Sequence, residues 1–287
     1  MERETERNAA NDPAPTRREF LSSSAALVTG ALLSSSGPTA AQTPTSTADA
    51  GATATETLVE LAWDLIAANR ILAEHEVVDG YGHVSVRSPN NPERYLISSH
   101  MAPETVTPDD LIEMDLDSRP MDTRGRSMQS ERFIHGCIYK ARPDVHAVVH
   151  FHAPAAVLMS VSGEPLRPIY HMAGFIGAGV PLFEIRDVAG MTNLLISNAM
   201  LGDALAKALG DKPAILLRGH GAVVVGKDLP EVTGRAVYLT INAQMQGQVL
   251  GRKIEYLSAE EARLADSQGG YPKDWELWKT KVMSGLR

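Results

Sequence analysis

Two histidines one residue apart, His150 and His152, close an apolar run that starts at Val145. The run reads as a β-strand, and alternate side chains of a strand share a face, so the two imidazoles project on one side about 7 Å apart along the chain. That placement suits a single ion. A third imidazole from elsewhere completes a facial set and leaves positions open for a reactant, as catalytic metal sites require. His220 is the candidate, because Gly219 and Gly221 beside it let the backbone turn sharply and carry the ring toward the other two. Taken alone, His-x-His describes two satisfied strand histidines and Gly-His-Gly a β-turn; together they point to one divalent cation per subunit. Three imidazoles suit zinc, and manganese, iron and cobalt are the other metals this donor set accepts.

The elements that must carry these residues are readable from periodicity. Ser130 and Glu131 open an amphipathic segment that runs to Tyr139, and Pro143-Asp144 breaks it before the His150 strand. Upstream, Leu58, Leu61, Leu65 and Leu72 predict a helix over 57–76, stopped by Gly80-Tyr81-Gly82. Val84 with Val86, Tyr95 to Ser98 and Ile112 to Asp115 predict short strands. After the His150 strand comes a Gly/Pro-rich loop region, then strands near Ile169 and over Val180 to Phe183 and a helix from Asn198 to Leu209. Strands at Ala214 to Leu217 and Ala222 to Val225 follow, then a helix from Pro230 to Leu250. A last helical region begins at Ser258, whose Glu261 makes a capping box. Strands and helices interleave without a strict repeat, which leaves α/β or α+β open.

Several segments taken together resemble the class II aldolase/adducin family over residues 57–262. They are Ser130-Glu131, Phe133-Ile134-His135, Arg142-Pro143-Asp144, Val148-Val149-His150-Phe151-His152 and Gly219-His220-Gly221, in that order. The resemblance implies a three-layer fold, a central mainly antiparallel sheet flanked by helices. It also implies a homotetramer with active sites at subunit interfaces, and Glu131 as the acid/base facing the metal, in place of a first-turn carboxylate serving the helix dipole. His135, one turn after Glu131, fits a packing or supporting role better than that of a fourth ligand. His146 shares the His150 face too far along the strand to ligate. Gly80 to Arg87, Ala102-Pro103-Glu104 and Tyr170 to Phe175 look like the branch that decarboxylates hydroxylated aromatic acids or their ring-cleavage products.

Departures from the sugar-phosphate aldolase pattern bear on the substrate. Those enzymes hold phosphate with a Gly-Asn-Val-Ser turn, a Thr-Gly turn and a Ser-Ser pair before the Glu; this chain has Gly82-His83-Val84-Ser85, His100-Met101 and Gln129-Ser130. The phosphate cradle is thereby reduced, and imidazoles suit a carboxylate or phenolic oxygen. His83, Ser85, Ser99, His100 and Ser130 are the candidate substrate contacts, with Tyr170 or His171 assisting Glu131 in catalysis. The implied reaction is a carbon-carbon lysis, decarboxylation through a metal-stabilised enolate. The runner-up is an aldolase, epimerase or dehydratase acting on a small non-phosphorylated hydroxy acid. A non-catalytic adducin-like scaffold is disfavoured by the intact ligand set.

Bulk properties set the remaining bounds. At 287 residues and 44% hydrophobic, the chain can bury one sizeable core. A net charge of -8 argues against nucleic acid or an anionic membrane surface as the main partner. Residues 1–41 have the layout of a twin-arginine signal: Arg17-Arg18, a short apolar segment from Ala25 to Leu33, and a small-residue site ending at Ala41. The apolar segment is too short for a permanent membrane anchor, so the expected destination is the periplasm, with a cytoplasmic location as the alternative. Residues 42–56 read as a disordered linker and 57–287 as the domain with its C-terminal helical extension. The single Cys137 cannot form an internal disulfide and reads as a packing residue; Trp275 and Trp278 read as packing or interface anchors.

Overall fold

The computed structural model describes residues 47–267 and 269–284, and only the backbone of 47–56. The expected signal segment lies outside the described residues. Seven strands form one sheet: β1 (His83–Arg87), β2 (Arg94–Ser98), β3 (Leu111–Asp115), β4 (Ala147–Phe151), β5 (Leu182–Phe183), β6 (Ala214–Leu217) and β7 (Gly221–Gly226). Their order is β3-β2-β1-β4-β7-β6-β5, and every pairing is antiparallel except β5 with β6.

Strand parity divides the core in two. Val84, Val86, Ala147, Val149, Phe151, Leu216 and Val224 face one side. There they meet α1 (Thr47–Glu74), α3 (Pro154–Val161), α6 (Leu229–Gln248) and α8 (Pro272–Met283). Tyr95, Ile97, Val148, Ile215, Leu217 and Val223 face the other, under α2 (Arg132–Ala141) and α5 (Ala199–Leu209). This is the expected three-layer arrangement. On α1, Leu65, Ile66, Ile71 and Leu72 are fully buried, each such side chain contributing about 1.5–3 kcal/mol. The short α4 (Arg186–Ala189) and α7 (Ala259–Asp266) complete the α-helices among the described residues, and α7 begins with the predicted Ser258–Glu261 capping box. No helix among the described residues is long and apolar enough to cross a membrane.

Three local expectations change. The first helix starts at Thr47, so residues 47–56 are helical where a linker was expected; alanine recurs through this stretch and favours helix more than any other residue. The stretch after His152 holds α3, because Pro154 sits in the first turn, where its missing N–H costs nothing. No strand forms at Ile169. The N–H groups of Ile169 and Tyr170 donate to Asn242 Oδ1 at 2.9 and 3.3 Å. Gln246 Nε2 donates to the Pro165 carbonyl at 2.9 Å, so side chains of α6 satisfy this backbone in place of a strand ladder.

The aromatic C-terminus is a packing device. Trp275 is buried in the larger core, and the Trp278 ring lies tilted against that of His75, centroids 4.5 Å apart. Lys279–Asp64 and Lys281–Glu74 ion pairs tie α8 to α1. Cys137 packs against Gly202 of α5, as expected of a buried thiol. Burial, helped by Asp203, pushes its thiol up to about 12, far from a reactive range.

Candidate metal centre

Because Ala147, Val149 and Phe151 point to the α1 side, His150 points to the α2 side, and His152 follows just beyond the strand end. His220 arrives on the tight turn between β6 and β7. Gly219 adopts φ 64°, a conformation glycine favours, and a Cβ on Gly221 would lie 2.1 Å from the Phe151 carbonyl oxygen, so glycine is required at 221 for the ring to reach its place. Nε2 of His152 is 2.9 Å from Nε2 of His150 and 3.0 Å from Nε2 of His220. Glu131 Oε2 lies 3.4 Å from Nε2 of both His150 and His220, and the four ligand atoms all fall within 4.8 Å of one another. The three predicted imidazoles therefore do converge, and Glu131 joins them.

The donor chemistry fits a cation. His150 is fully buried and its Nδ1–H donates to the Ala222 carbonyl at 3.1 Å. In the neutral ring Nε2 then carries only a lone pair, turned toward another imidazole nitrogen and a carboxylate oxygen. Lone pairs crowded together in this way are stable when a positive ion lies among them. Nitrogens 2.9 and 3.0 Å apart are close enough for one ion at about 2.1 Å from each to be held between them. Burial first, then the neighbouring His150 and His220, lowers His152 to about 4, against the opposing pull of Glu131. The ring is neutral at neutral pH, the form that binds metal. Burial alone raises the proton affinity of Glu131; when His150 and His220 carry a proton on Nε2, their charge and hydrogen bonds outweigh burial and hold the carboxyl well below the usual carboxylate range.

Glu131 stands at the N-terminal boundary of α2 without capping it. Its Oε1 instead accepts the N–H of Ile196 at 2.8 Å, a contact across 65 positions that sequence spacing does not reveal. The expectation of a helix starting at Ser130 moves to Arg132, and Ser130 itself is exposed, away from the ligand cluster's hydrogen bonds.

Beside the cluster runs a second buried group. His83 pairs across the sheet with His150, their ring centroids 5.1 Å apart. His83 Nδ1 is 2.6 Å from His135 Nε2, His135 Nδ1 is 2.6 Å from Ser85 Oγ, and Ser85 Oγ is 2.7 Å from the Tyr139 hydroxyl. Burial lowers His135 to about 3, aided by His150, and burial likewise carries His83 well below its ordinary value. Both rings are neutral. The supporting role expected of His135 is thus realised on His83. Ser85, expected to touch substrate, is fully buried, and its hydroxyl lies within hydrogen-bond distance of both His135 Nδ1 and the Tyr139 hydroxyl. Tyr139 was not among the expected site residues, although Glu131, His135 and Tyr139 recur every four positions, a stripe that sequence spacing does display.

The remaining candidates divide. His100 is exposed and sits 3.3 Å from Gln129 Oε1, while Gln129 Nε2 donates to the Ser99 carbonyl at 2.8 Å, so the 99–100 loop is tied to the residues preceding Glu131. Ser99 is buried, its hydroxyl turned to Met101 Sδ. Tyr170 and His171 contact each other, and Tyr170 packs on Tyr238 of α6; neither has a described contact with the imidazole cluster. His146 is exposed beyond the opposite end of β4, consistent with its exclusion.

A half-buried cluster of three histidines and one glutamate, at the end of a mainly antiparallel sheet between helical layers, defines a metal-binding α+β scaffold of the aldolase type. The chain belongs to the class II aldolase and adducin family: the family's N-terminal domain matches residues 63–247. It is similar to decarboxylase tropJ of Talaromyces stipitatus, 34% identical over 242 residues covering 75% of this chain and 91% of that one. It is also similar to the 3,4-dihydroxyphthalate decarboxylase of Rhodococcus jostii, 30% identical over 227 residues covering 74% and 89%. Among solved structures, the L-fuculose 1-phosphate aldolase of Glaciozyma antarctica PI12 shares the fold, with a TM-score of 0.65 and 23% identity over 85% of this chain and 93% of that one.

Proposed function

We propose that this protein is a metal-dependent decarboxylase of a hydroxylated aromatic acid or of its ring-cleavage product. The observation that carries the reading is the convergence of His150, His152, His220 and Glu131 ligand atoms within 4.8 Å of one another. Similarity to decarboxylases, one of them acting on 3,4-dihydroxyphthalate, supports the substrate class. The three imidazoles hold the ion, zinc by preference, and a cation there supplies Lewis-acid stabilisation to the oxygen that takes up charge as carbon dioxide leaves. Glu131 enters ionised, accepts the proton of a substrate hydroxyl, and returns it to the carbon whose bond to the carboxylate has broken. His83, at the wall beside His150, faces the acid's oxygens.

Tyr170 and His171 enter this reading through assembly. In a homotetramer with interfacial sites they act on a neighbouring subunit's cluster, consistent with their separation from their own. Export by the twin-arginine route, with cleavage after Ala41, belongs to the same proposal and rests on Arg17-Arg18 and the small-residue site. Changing that arginine pair to lysines then keeps the chain in the cytoplasm, and exported protein starts at Gln42.

The test of activity is incubation of the zinc-loaded protein with 3,4-dihydroxyphthalate and related vicinal hydroxy acids, following carbon dioxide and products together. Gas release supports the proposal. Aldehyde formation from non-phosphorylated hydroxy acids without gas would instead assign an aldolase, and inactivity on every acid would overturn the lyase reading.

A further inference from the structure

The buried chain His83–His135–Ser85–Tyr139 has a direction, and the direction follows from counting donors and acceptors. All four side chains are at most 4% exposed. Tyr139 is protonated at neutral pH and burial strengthens that. Among the described residues, the acceptor its hydroxyl proton reaches is Ser85 Oγ, at 2.7 Å. Ser85, receiving that proton, must aim its own hydroxyl at its other neighbour, His135 Nδ1, at 2.6 Å. His135 Nδ1 is then an acceptor and its proton resides on Nε2, which donates to His83 Nδ1 at 2.6 Å. His83 is left with its proton on Nε2. That nitrogen has no protein partner among the described residues, and the ring stands 5.1 Å from that of the ligand His150.

The opposite direction fails at its far end. If His83 donated from Nδ1, His135 would donate to Ser85, Ser85 would have to donate to Tyr139, and the tyrosine proton would be buried without an acceptor among the described residues. The tyrosine is itself fixed: the Arg87 guanidinium lies 4.8 Å over its ring and donates to its carbonyl at 2.9 Å.

We propose that Tyr139, Ser85 and His135 are positioning residues that lock His83 as a permanent Nε2–H donor at the wall of the metal centre, where it selects reactants bearing an anionic oxygen group beside the chelating oxygens. A permanent neutral donor accepts an anionic oxygen and rejects a group that offers only hydrogens. This rests on the acid-decarboxylase reading for the identity of the ligand, while the direction of the chain stands apart from it.

Two measurements test the proposal on zinc-loaded protein. Histidine nitrogen-15 NMR distinguishes protonated from bare ring nitrogens, and the His83 signals are assigned by their loss in His83→Gln. The expected result is a bare Nδ1 and a protonated Nε2; a protonated Nδ1 overturns the proposal. Calorimetry then compares 2,3-dihydroxybenzenesulfonate, which carries an anionic oxygen group but cannot release carbon dioxide, with catechol, which lacks that group. Wild type should prefer the sulfonate by about tenfold, the scale of one hydrogen bond to a charged group. Ser85→Ala, and to a smaller extent Tyr139→Phe, should reduce that preference with catechol affinity unchanged, and neither should reduce it further in the His83→Gln background. An unchanged preference in Ser85→Ala, an equal loss for both ligands, or losses that add in full to that of His83→Gln would each overturn it. Failure of both ligands to bind would count against the acid-decarboxylase reading, and the nitrogen signals would still decide the direction of the chain.

Discussion

Glu131 joins two distant parts of the chain: Oε1 accepts the N–H of Ile196 at 2.8 Å, while Oε2 stands 3.4 Å from Nε2 of both His150 and His220. The Ile196 contact aims the carboxylate at the imidazole cluster. Glu131→Gln preserves size and leaves an amide oxygen able to accept from Ile196, but removes the basic group. The three imidazoles remain, so metal content measured by elemental analysis should stay near one ion per subunit. The decarboxylation rate should fall by about 10²–10⁴. Parallel loss of metal and activity would make Glu131 an essential ligand instead.

Gly219 and Gly221 flank the same histidine but are constrained for different reasons, which gives an ordering. At Gly219 the constraint is a φ of 64°, and a Cβ there would make only ordinary contacts, with Leu194 and Val161 at 3.9 Å. An alanine there pays about 1–2 kcal/mol of left-handed strain. At Gly221 a Cβ would sit 2.1 Å from the Phe151 carbonyl oxygen, forcing β7 away from β4. Urea denaturation should therefore rank wild type above Gly219→Ala and Gly219→Ala above Gly221→Ala, and only the Gly221 variant should lose metal.

The imidazole cluster was legible in the sequence because its cues are local: a two-residue strand period sets His150 and His152 on one face, and glycines mark the turn under His220. The layered sheet was legible through the family resemblance. What escaped depended on long-range contacts. Ser85 reads as a candidate substrate contact by its place after His83, yet β1 pairs with β4 and lies under α2, so the side chain is sealed between His135 and Tyr139. The segment around Ile169 has strand-like composition, but Asn242, 73 positions away, takes its backbone donor. The Ile196 N–H on Glu131 belongs to the same class: no pattern within either segment encodes it.

Metal-free protein should show a defined acid sensitivity. His152 and His135 are lowered to about 4 and about 3 in the folded state, and His83 lies well below its ordinary value, whereas an unfolded histidine titrates near 6.5. Between these limits the unfolded chain binds more protons than the folded one, so stability rises with pH there. The contribution of these rings is fully present above about pH 6.5 and is lost as pH falls toward 4 and 3. Denaturation of metal-free protein at a series of pH values should yield an uptake of about two or more protons per unfolding event near pH 5 from these rings. A flat profile across this window would contradict the neutral, buried state of the three rings.

Metal removal separates the ligand histidines from one that merely shares their strand. His150→Ala and His220→Ala each delete one of the three imidazoles, whereas His146 is exposed beyond the opposite end of β4. If the cluster binds zinc only when folded, free ion at a thousandfold excess over its dissociation constant adds about 4 kcal/mol. For a domain of this size that raises the melting temperature by roughly 10 °C. Wild type and His146→Ala should both show that rise on zinc addition and its reversal by a chelator. His150→Ala and His220→Ala should show little of it, and their metal content should drop well below one ion per subunit. A full zinc-dependent rise in His220→Ala would mean that the ion is held without the Gly219–Gly221 turn, and the three-imidazole centre would have to be abandoned.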